Sequence, residues 1–415
     1  MEQRTKKLIA IVISLLLCGH VLLFYALPIK VFVLVFIALT ILFLYIEWQG
    51  PIMISMSLIL GTLIFGVFLQ VSGINESVYY RPHEKFRLFD SDMNHGRYEK
   101  NIRFEMKMPH GDLKALALYE DVTPEPRKVT FHTDSLGFRN SKDYHGQKYL
   151  LVGDSFIVGN GTTQNEIITE QLIKEYNLDG YNLAHPGGPK DYVNYVKKFE
   201  VKFGNKHKVI LFLFEGNDFP IFKEKMSAPL SEIPALNKYI VKRAKNHYRL
   251  FSKTDIYRFV YSRTSRFSLK KKVKNGVVDI RMIEGVPVSF YKSYISVSER
   301  DSLPNNPEIE EYIRSIKNKI AHIFFIPTKY RVYYKHITGL NSDEPRVLPH
   351  KQWELVQRIG IKYGIRVTDL TPALIEESNK MLQERKLTFW KDDTHWNKYG
   401  ISIAAKIVAK NIVTQ

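Results

Sequence analysis

Cysteine and acidic residues are scarce in this sequence. The 415 residues include a single cysteine, Cys18, so no disulfide can form within the chain. Lys and Arg number 60 against 42 Asp and Glu, which gives a formal net charge of +18 at pH 7. No internal repeat or low-complexity tract is visible. A chain of this length is expected to hold one sizeable domain with additional segments.

Charged residues are also absent from three apolar runs near the N-terminus, at residues 8–27, 31–46 and 52–71. As helices, these runs would measure about 25–30 Å, close to the thickness of a bilayer core. The sequence therefore predicts that residues 1–74 form an anchor of about three transmembrane helices. A cleaved signal peptide followed by a buried helical hairpin, or an anchor of one or two helices, is the alternative.

Basic residues before the first run indicate the orientation of this anchor. Arg4, Lys6 and Lys7 precede residue 8, and positive charge is retained on the cytoplasmic side of a membrane. The N-terminus is then cytoplasmic, and three spans place everything after residue 74 outside the cell membrane. Cys18 lies in the first run, so the exported part has no thiol and can fold without redox help.

Much of the positive charge is concentrated in one segment. Residues 238–274 contain 13 Lys and Arg and one acidic residue, Asp255, interleaved with aromatic side chains. A solvated basic helical subdomain, docking on anionic lipid headgroups and binding of an anionic glycan are all compatible with this composition. Nucleic acid is not expected as a partner of an exported, anchored domain.

Residues 148–415 alternate between strand and helix patterns, whereas residues 75–147 are polar, broken by prolines and typical of a linker with a β-rich lead-in. The predicted strands are 148–152, 181–183, 209–214, 321–327 and 365–370. The predicted helices are 163–175 with Thr163 as a cap, 191–203, 308–320, 350–363, 372–385 and 398–413. This alternation predicts a doubly wound α/β fold with a parallel sheet, in which residues 220–307 form a basic insertion.

Four polar stretches carry the candidate chemistry. They are "GDSF" (153–156), "NLAHPGGP" (182–189), "EGND" (215–218) and "DDTHWN" (392–397). The first three follow predicted strands, at the sheet edge where reactive groups gather in open α/β folds, and the fourth precedes the last helix. Ser155 can act as a nucleophile and His395 as its base, while Asp392 or Asp393 orients the imidazole.

Acyl transfer also needs donors for the oxyanion, and three are available: the backbone N–H groups of Ser155 and Gly187 and the side-chain amide of Asn217. Each of these residues also has an ordinary structural explanation when taken alone. Ser155 could cap a helix, Gly187 and Asn217 could belong to turns, and His395 could be structural. Among the neighbours of this set, Asp154 and Asp218 are expected to brace loops, and His185 to be a surface or loop residue; Glu215 also lies nearby.

Together, in this order, the four stretches resemble the blocks of the SGNH (GDSL-type) hydrolase superfamily. The resemblance rests on Ser155 in "GDSF", Gly187 in "NLAHPGG", Asn217 in "GND" and His395 in "DTHWN", and it covers about residues 148–415. It implies a three-layer α/β/α sheet and a Ser-His-Asp esterase or acyltransferase that uses no metal or other cofactor. The commoner spacing in the superfamily favours Asp392 as the acid.

The stretches "DTHWNKYG" and "HTDSLGFRN" (132–140) look more like the bacterial membrane-anchored branch, which includes alginate O-acetyltransferase-like proteins. In alginate-type members the Asp-x-His motif precedes the serine, whereas here it follows. The resemblance implies an extracytoplasmic esterase or O-acyltransferase acting on acyl, most simply acetyl, esters of a cell-envelope or exported polysaccharide. Transfer would require a multi-spanning membrane partner to pass the acyl group, because cytoplasmic acetyl-CoA cannot reach an outside serine. An idle assembly module in polysaccharide export and a lipid-directed esterase are the alternatives.

Overall fold

A computed structural model of the chain describes residues 61, 64–65, 67–68, 71, 86, 97–117, 120–204, 206–219, 276–302, 307–338 and 347–413. The chain divides into two compact units. One comprises Met1–Val78 with Met226–Lys272, and the other comprises Tyr79–Lys225 with Val273–Gln415. Nearly all of the described residues belong to the second unit.

The predicted anchor falls in the first unit. The runs 8–27 and 31–46 lie outside the described residues, and so does the basic segment 238–274. Of the third run, six positions between 61 and 71 are described, and all six are helical. Within the described part of the chain, no helix is both long and apolar enough to cross a bilayer. The transmembrane anchor therefore stays a prediction.

The second unit contains ten strands among its described residues. They are β1 (Arg103–Met108), β2 (Arg127–His132), β3 (Tyr149–Val152), β4 (Gly180–Asn182), β5 (Lys208–Phe214), β6 (Val278–Ile283), β7 (Val286–Tyr291), β8 (Ile320–Ile326), β9 (Ile337–Thr338) and β10 (Val367–Asp369). The α-helices are α1 (Asp112–Leu116), α2 (Ser155–Val158), α3 (Ile168–Tyr176), α4 (Pro189–Phe203), α5 (Lys292–Ser298), α6 (Pro307–Ile316), α7 (Lys329–Tyr333), α8 (Lys351–Tyr363), α9 (Thr371–Gln383) and α10 (Lys398–Val413).

A five-stranded sheet organises this unit, with strand order β10-β8-β5-β3-β4 and parallel pairing throughout. Along the chain, β4 is added beside β3 at one edge of the sheet. The later strands β5, β8 and β10 are then added one after another on the other side of β3. The direction in which strands are added therefore reverses between β3 and β5. In folds of this kind, ligands bind in the crevice at the reversal, beyond the carboxyl ends of the two strands. The predicted doubly wound parallel sheet is confirmed, and β3 and β5 carry "GDSF" and "EGND" to the reversal point.

Two hydrophobic cores cover the two faces of the sheet, as a three-layer α/β/α arrangement requires. Alternate strand residues point to opposite faces because the side-chain period of a strand is two. Leu151 and Phe212 therefore pack with α3, α9 and α10, whereas Leu150 and Leu211 pack with α4, α6 and α8. All residues of β5 after Lys208 are buried, which is typical of a central parallel strand.

Two of the predicted segments contain strands of the second unit. In the predicted linker and β-rich lead-in, β1 and β2 pair antiparallel and belong to the same unit as the parallel sheet. The part of the predicted 220–307 insertion from 276 to 302 also belongs to this unit. There β6 pairs with β7 and β9, and Ile283 and Phe290 join the same core as Leu151. In β6 and β7 the apolar residues alternate with polar ones only over short stretches. The sequence pattern therefore does not show which part of the core these strands cover.

One predicted helix is also interrupted. The segment predicted as a helix at 163–175 consists of a 3₁₀ turn at Gln164–Glu166 followed by α3. Thr163 makes no side-chain capping bond. Its Oγ1 instead accepts a hydrogen bond from the Thr130 backbone N–H at 3.1 Å, which ties this turn to β2.

Candidate active site

Ser155 is presented by a tight strand-to-helix turn at the end of β3. Asp154 is the capping residue of the short helix α2, because its Oδ1 accepts a hydrogen bond from the Phe156 backbone N–H at 2.9 Å. Ser155 is the first residue of the helix and leaves its hydroxyl free of a capping role. A Cβ at Gly153 would lie 2.7 Å from Ile157 Cγ1, so this turn requires glycine. The interpretation of Ser155 as a helix cap is therefore wrong.

The folded chain brings Ser155 and His395 together across 240 residues. Ser155 Oγ lies 2.8 Å from His395 Nε2, and His395 Nδ1 lies 2.6 Å from Asp393 Oδ1. The imidazole is almost fully buried, and its ring centroid is 4.9 Å from that of Phe156. These contacts place a hydroxyl, an imidazole and a carboxylate in line, as a base-activated nucleophile requires.

Asp393, and not Asp392, stands behind the histidine. Asp393 Oδ1 accepts hydrogen bonds from both the backbone N–H and the imidazole Nδ1 of His395. Asp392 points to the other side of the turn, where its Oδ2 accepts from the backbone N–H groups of Gly111 at 2.7 Å and Glu125 at 2.8 Å. The preference for Asp392 is corrected, because a separation of two residues lets one carboxylate oxygen reach both donors of His395.

Helix α1 supplies a second carboxylate to the site, Asp112, which the sequence did not indicate. Asp112 is buried, and its two oxygens accept hydrogen bonds from the backbone N–H and the hydroxyl of Thr394 at 2.8 and 2.7 Å. Asp112 Oδ2 lies 3.9 Å from His395 Nδ1. No motif in the sequence links residue 112 with residue 394, so only the tertiary contact reveals this group.

Asp112, Asp393 and His395 form the cluster best placed to hold a metal ion within the described parts of the chain, since their ligand atoms lie within 4.8 Å of one another. Each of these ligand atoms already has a protein partner. Thr394 binds Asp112, while Arg127 and His395 bind Asp393. The cluster is arranged as a hydrogen-bonded triad with a neighbouring carboxylate.

Two buried cations contact the loop that carries the acid. The Arg127 guanidinium donates from Nη2 to Asp393 Oδ2 at 2.7 Å and from Nη1 to Asp392 Oδ1 at 3.0 Å. The Lys329 ammonium donates to the carbonyl oxygens of Trp390, Lys391 and Asp393 at 2.8–3.3 Å. Burial lowers the pKa of Lys329 to about 8, and the nearby carboxylates, led by Asp393, oppose that shift.

The stretch "HTDSLGFRN" stabilises the nucleophile loop from behind. The fully buried guanidinium of Arg139 donates to the carbonyl oxygens of Val158, Gly159 and Thr162, at distances of 3.1, 2.6 and 2.7 Å. These carbonyls lie in and just after helix α2. Burial lowers the pKa of Arg139 to about 9. The stretch thus holds the turn that presents Ser155, and it makes no contact with the triad carboxylates.

The proposed oxyanion donors occupy the same edge of the sheet. The Asn217 amide donates to Asp154 Oδ2 at 3.3 Å, so it is tied to the nucleophile turn. Burial raises the pKa of Asp154, and its hydrogen bonds with Phe156 and Asn217 oppose that shift. A Cβ at Gly187 would lie 2.9 Å from Asp191 Oδ2, so glycine here makes room for Asp191. The oxyanion set of Ser155, Gly187 and Asn217 stays a prediction.

Two further polar residues of these stretches have structural roles. Asp218 Oδ2 accepts from the Phe214 backbone N–H at 2.8 Å and Oδ1 from the Tyr192 hydroxyl at 2.8 Å, so this carboxylate braces the loop. Burial raises the pKa of Asp218 well above its usual range. His185 lies in a loop but is fully buried, because Tyr98 covers it with ring centroids 4.9 Å apart. Of the two positions expected for His185, surface or loop, the structure therefore shows a loop and not the surface.

Glu215, at the end of β5, forms a buried ion pair. The Arg331 Nε donates to both of its carboxylate oxygens, at 2.9 and 3.0 Å, and the Thr328 backbone N–H donates to Oε2 at 2.9 Å. Glu215 therefore joins β5 to helix α7 and contributes no group to the triad.

We expect Glu215→Ala to destabilise the chain by about 3–5 kcal/mol, because it leaves the Arg331 guanidinium buried without a counter-charge. The measurement is the urea midpoint of the full chain. The double variant Glu215→Leu with Arg331→Met should recover part of the loss. Glu310→Ala, which removes an exposed pair with Lys362, should change little. A wild-type midpoint for Glu215→Ala would contradict the assigned role.

Comparison with known proteins agrees with this geometry. Residues 308–415 match the family described as SGNH hydrolase-like domain, acetyltransferase AlgX. The match includes Asp393 and His395 and leaves Ser155 outside. Searches among curated proteins and among solved structures found no match. The predicted resemblance to the SGNH superfamily, and to its acetyltransferases, is confirmed by this match.

Proposed function

We propose that this protein is a serine esterase or O-acyltransferase whose nucleophile is Ser155. The observation that carries the proposal is the contact series from Ser155 through His395 to Asp393, with distances of 2.8 and 2.6 Å. A hydroxyl is a weak nucleophile unless a neighbouring base removes its proton as it attacks. His395 is placed to do so, and Asp393 is placed to stabilise the imidazolium that forms.

The reaction proceeds in two halves. Ser155 Oγ attacks the ester carbonyl while its proton passes to His395 Nε2, and the oxyanion that forms is held by backbone and amide N–H groups at this sheet edge. The intermediate then expels the alcohol, which receives the proton from His395, and an acyl-Ser155 ester remains. In the second half His395 takes a proton from water or a sugar hydroxyl, which attacks the acyl-enzyme. Ser155 Oγ then leaves with the proton that His395 returns, and the acyl group departs as a free acid or as a sugar ester.

The substrate class we propose is an acetyl ester of a cell-envelope or exported polysaccharide. The likeness of residues 308–415 to the SGNH hydrolase-like domain of an acetyltransferase supports acetyl as the acyl group. The three apolar runs in residues 1–74 support an anchored, extracytoplasmic enzyme. In that setting a transferase needs an acyl donor from the membrane, so we propose a multi-spanning acyl-passing protein as its partner. A glycan is the proposed acceptor.

The full chain should react with a fluorophosphonate probe and be modified at Ser155, because such probes label serines activated by a base. It should also release acetate from an acetylated oligosaccharide, or move the acetyl group to an unmodified one. Mass spectrometry of the labelled chain and of both sugars measures these outcomes. Absence of labelling and of acetyl loss would overturn the enzymatic proposal and favour an idle SGNH-fold module in polysaccharide export.

A further inference from the structure

Arg127, at the start of β2, connects the two loops that form the candidate active site. Its Nε donates to the Gly161 carbonyl at 3.1 Å, in the loop that follows Ser155. Its Nη2 donates to Asp393 Oδ2 at 2.7 Å, in the loop that carries His395. One rigid guanidinium therefore joins the nucleophile side of the site to the acid side.

The remaining contacts of Arg127 fix the orientation of this group. Its Nη1 donates to Asp392 Oδ1 at 3.0 Å and to the Glu125 carbonyl at 2.9 Å. The guanidinium carbon lies 4.3 Å from the ring centroid of Trp390, and the side chain is almost fully buried. A planar fork with these partners cannot be replaced by the single ammonium of lysine.

The positive charge of the Arg127 guanidinium also separates two neighbouring carboxylates. Asp392 and Asp393 are adjacent in the chain and both buried, so their carboxylates would repel each other without a cation between them. Arg127 binds one oxygen of each carboxylate on separate nitrogens. Asp393 Oδ2 is thereby held by Arg127, and Asp393 Oδ1 is left for the imidazole.

We infer that Arg127 is a positioning residue of the triad: it selects Asp393 as the partner of His395 and keeps the acid loop in register with the nucleophile loop. This inference rests on the proposed function. Arg127 binds Asp392, Asp393 and two backbone carbonyls, so it acts on the triad through the Asp393 carboxylate.

The test compares Arg127→Gln and Arg127→Lys with Arg139→Gln in the full chain. Arg139 is a matched control, because it is also a buried arginine that binds carbonyls of the nucleophile loop but no triad carboxylate. The first readout is the rate of fluorophosphonate labelling as a function of pH. The second is carbethoxylation of His395 by diethyl pyrocarbonate, followed by mass spectrometry, which reports neutral imidazole whether or not the enzyme is active.

Charged groups face the His395 imidazole from several elements. Asp393 and Asp112 lie at Nδ1, Asp154 acts on it across the nucleophile turn, and Arg127 and Lys329 lie behind Asp393. Removing the charge of Arg127 leaves more net negative charge around the imidazole, which favours its protonated form. The low-pH limb of both pH profiles should therefore move to higher pH in Arg127→Gln.

We expect Arg127→Gln to slow labelling about 100-fold at the optimum, as loss of alignment at a reacting group does. Arg127→Lys should leave the low-pH limb of the profiles in its wild-type position and recover part of the labelling rate. Lysine keeps the positive charge but lacks the planar, multidentate guanidinium. Arg139→Gln should lower labelling with no shift of the limb. The inference is overturned if folded Arg127→Gln shows the wild-type labelling rate and pH dependence. If the glutamine variant does not fold, the same result for folded Arg127→Lys overturns it.

Failure of the proposed function has a different signature. A wild-type chain without fluorophosphonate labelling would overturn the serine mechanism. The carbethoxylation midpoint would still decide whether Arg127 controls the charge at His395, since this readout needs no turnover.

Discussion

Replacing Ser155 with alanine is expected to reduce ester cleavage or acyl transfer by about 10⁴- to 10⁶-fold, because it removes the hydroxyl that contacts His395 Nε2 at 2.8 Å. His395→Ala should cost a similar factor, since a nucleophile without its base is equally ineffective. The measurement is kcat/KM for p-nitrophenyl acetate and for an acetylated oligosaccharide, with fluorophosphonate labelling in parallel.

The double variant distinguishes a joint mechanism from two independent effects. Residues that act as one catalytic unit are non-additive, so Ser155→Ala with His395→Ala should lose little more than either single variant. Ser315→Ala is the control, because Ser315 lies on the exposed face of α6 and bonds only to the Tyr312 carbonyl of that helix. Full activity in Ser155→Ala would refute the mechanism.

Asp393→Asn is expected to lower the kcat of the folded chain by about 10⁴-fold. The amide that replaces the carboxylate carries no negative charge to stabilise the imidazolium. It can also turn its NH₂ toward Nδ1, which favours the wrong tautomer. The labelling rate and kcat, measured on the same preparation, should fall together.

Asp392→Asn is the matched comparison one residue earlier. Its amide oxygen can still accept from Gly111 or Glu125, but half of the ion pair with Arg127 is lost. We expect a loss of stability of about 1–3 kcal/mol in urea and a much smaller loss of kcat. If Asp392→Asn were the inactive variant and Asp393→Asn the active one, the assignment of the acid from the structure would be wrong.

Some elements were predictable because their patterns are local. The buried strand 208–214 and the amphipathic helices at 189–203 and 398–413 differ from the predicted ranges by at most two residues at either end. Hydrophobic periodicity and helix-start residues are properties of neighbouring positions, so they can be detected along the chain. The parallel sheet then follows from the alternation of strand and helix.

The contacts of the lead-in could not be predicted from the sequence, because its role depends on distant partners. Residues 97–147 are polar and interrupted by prolines, which along the chain is typical of a linker. In the fold they place Asp112 beside His395, Arg127 on two aspartates and Arg139 behind helix α2. Polar residues of this kind show their function only through the groups that they contact.

The sequence by itself determined the class of fold, the four polar stretches and the identities of Ser155 and His395 as candidates, since each depends on short-range patterning or on residue type. Only the tertiary structure decided that Asp393 and not Asp392 meets the imidazole, and that Asp112 and Arg127 complete the acid side. Both aspartates have the same chemistry and nearly the same spacing from His395. What separates them is the direction in which a turn of two or three residues points each carboxylate, and that direction is set by contacts with residues more than 260 positions away.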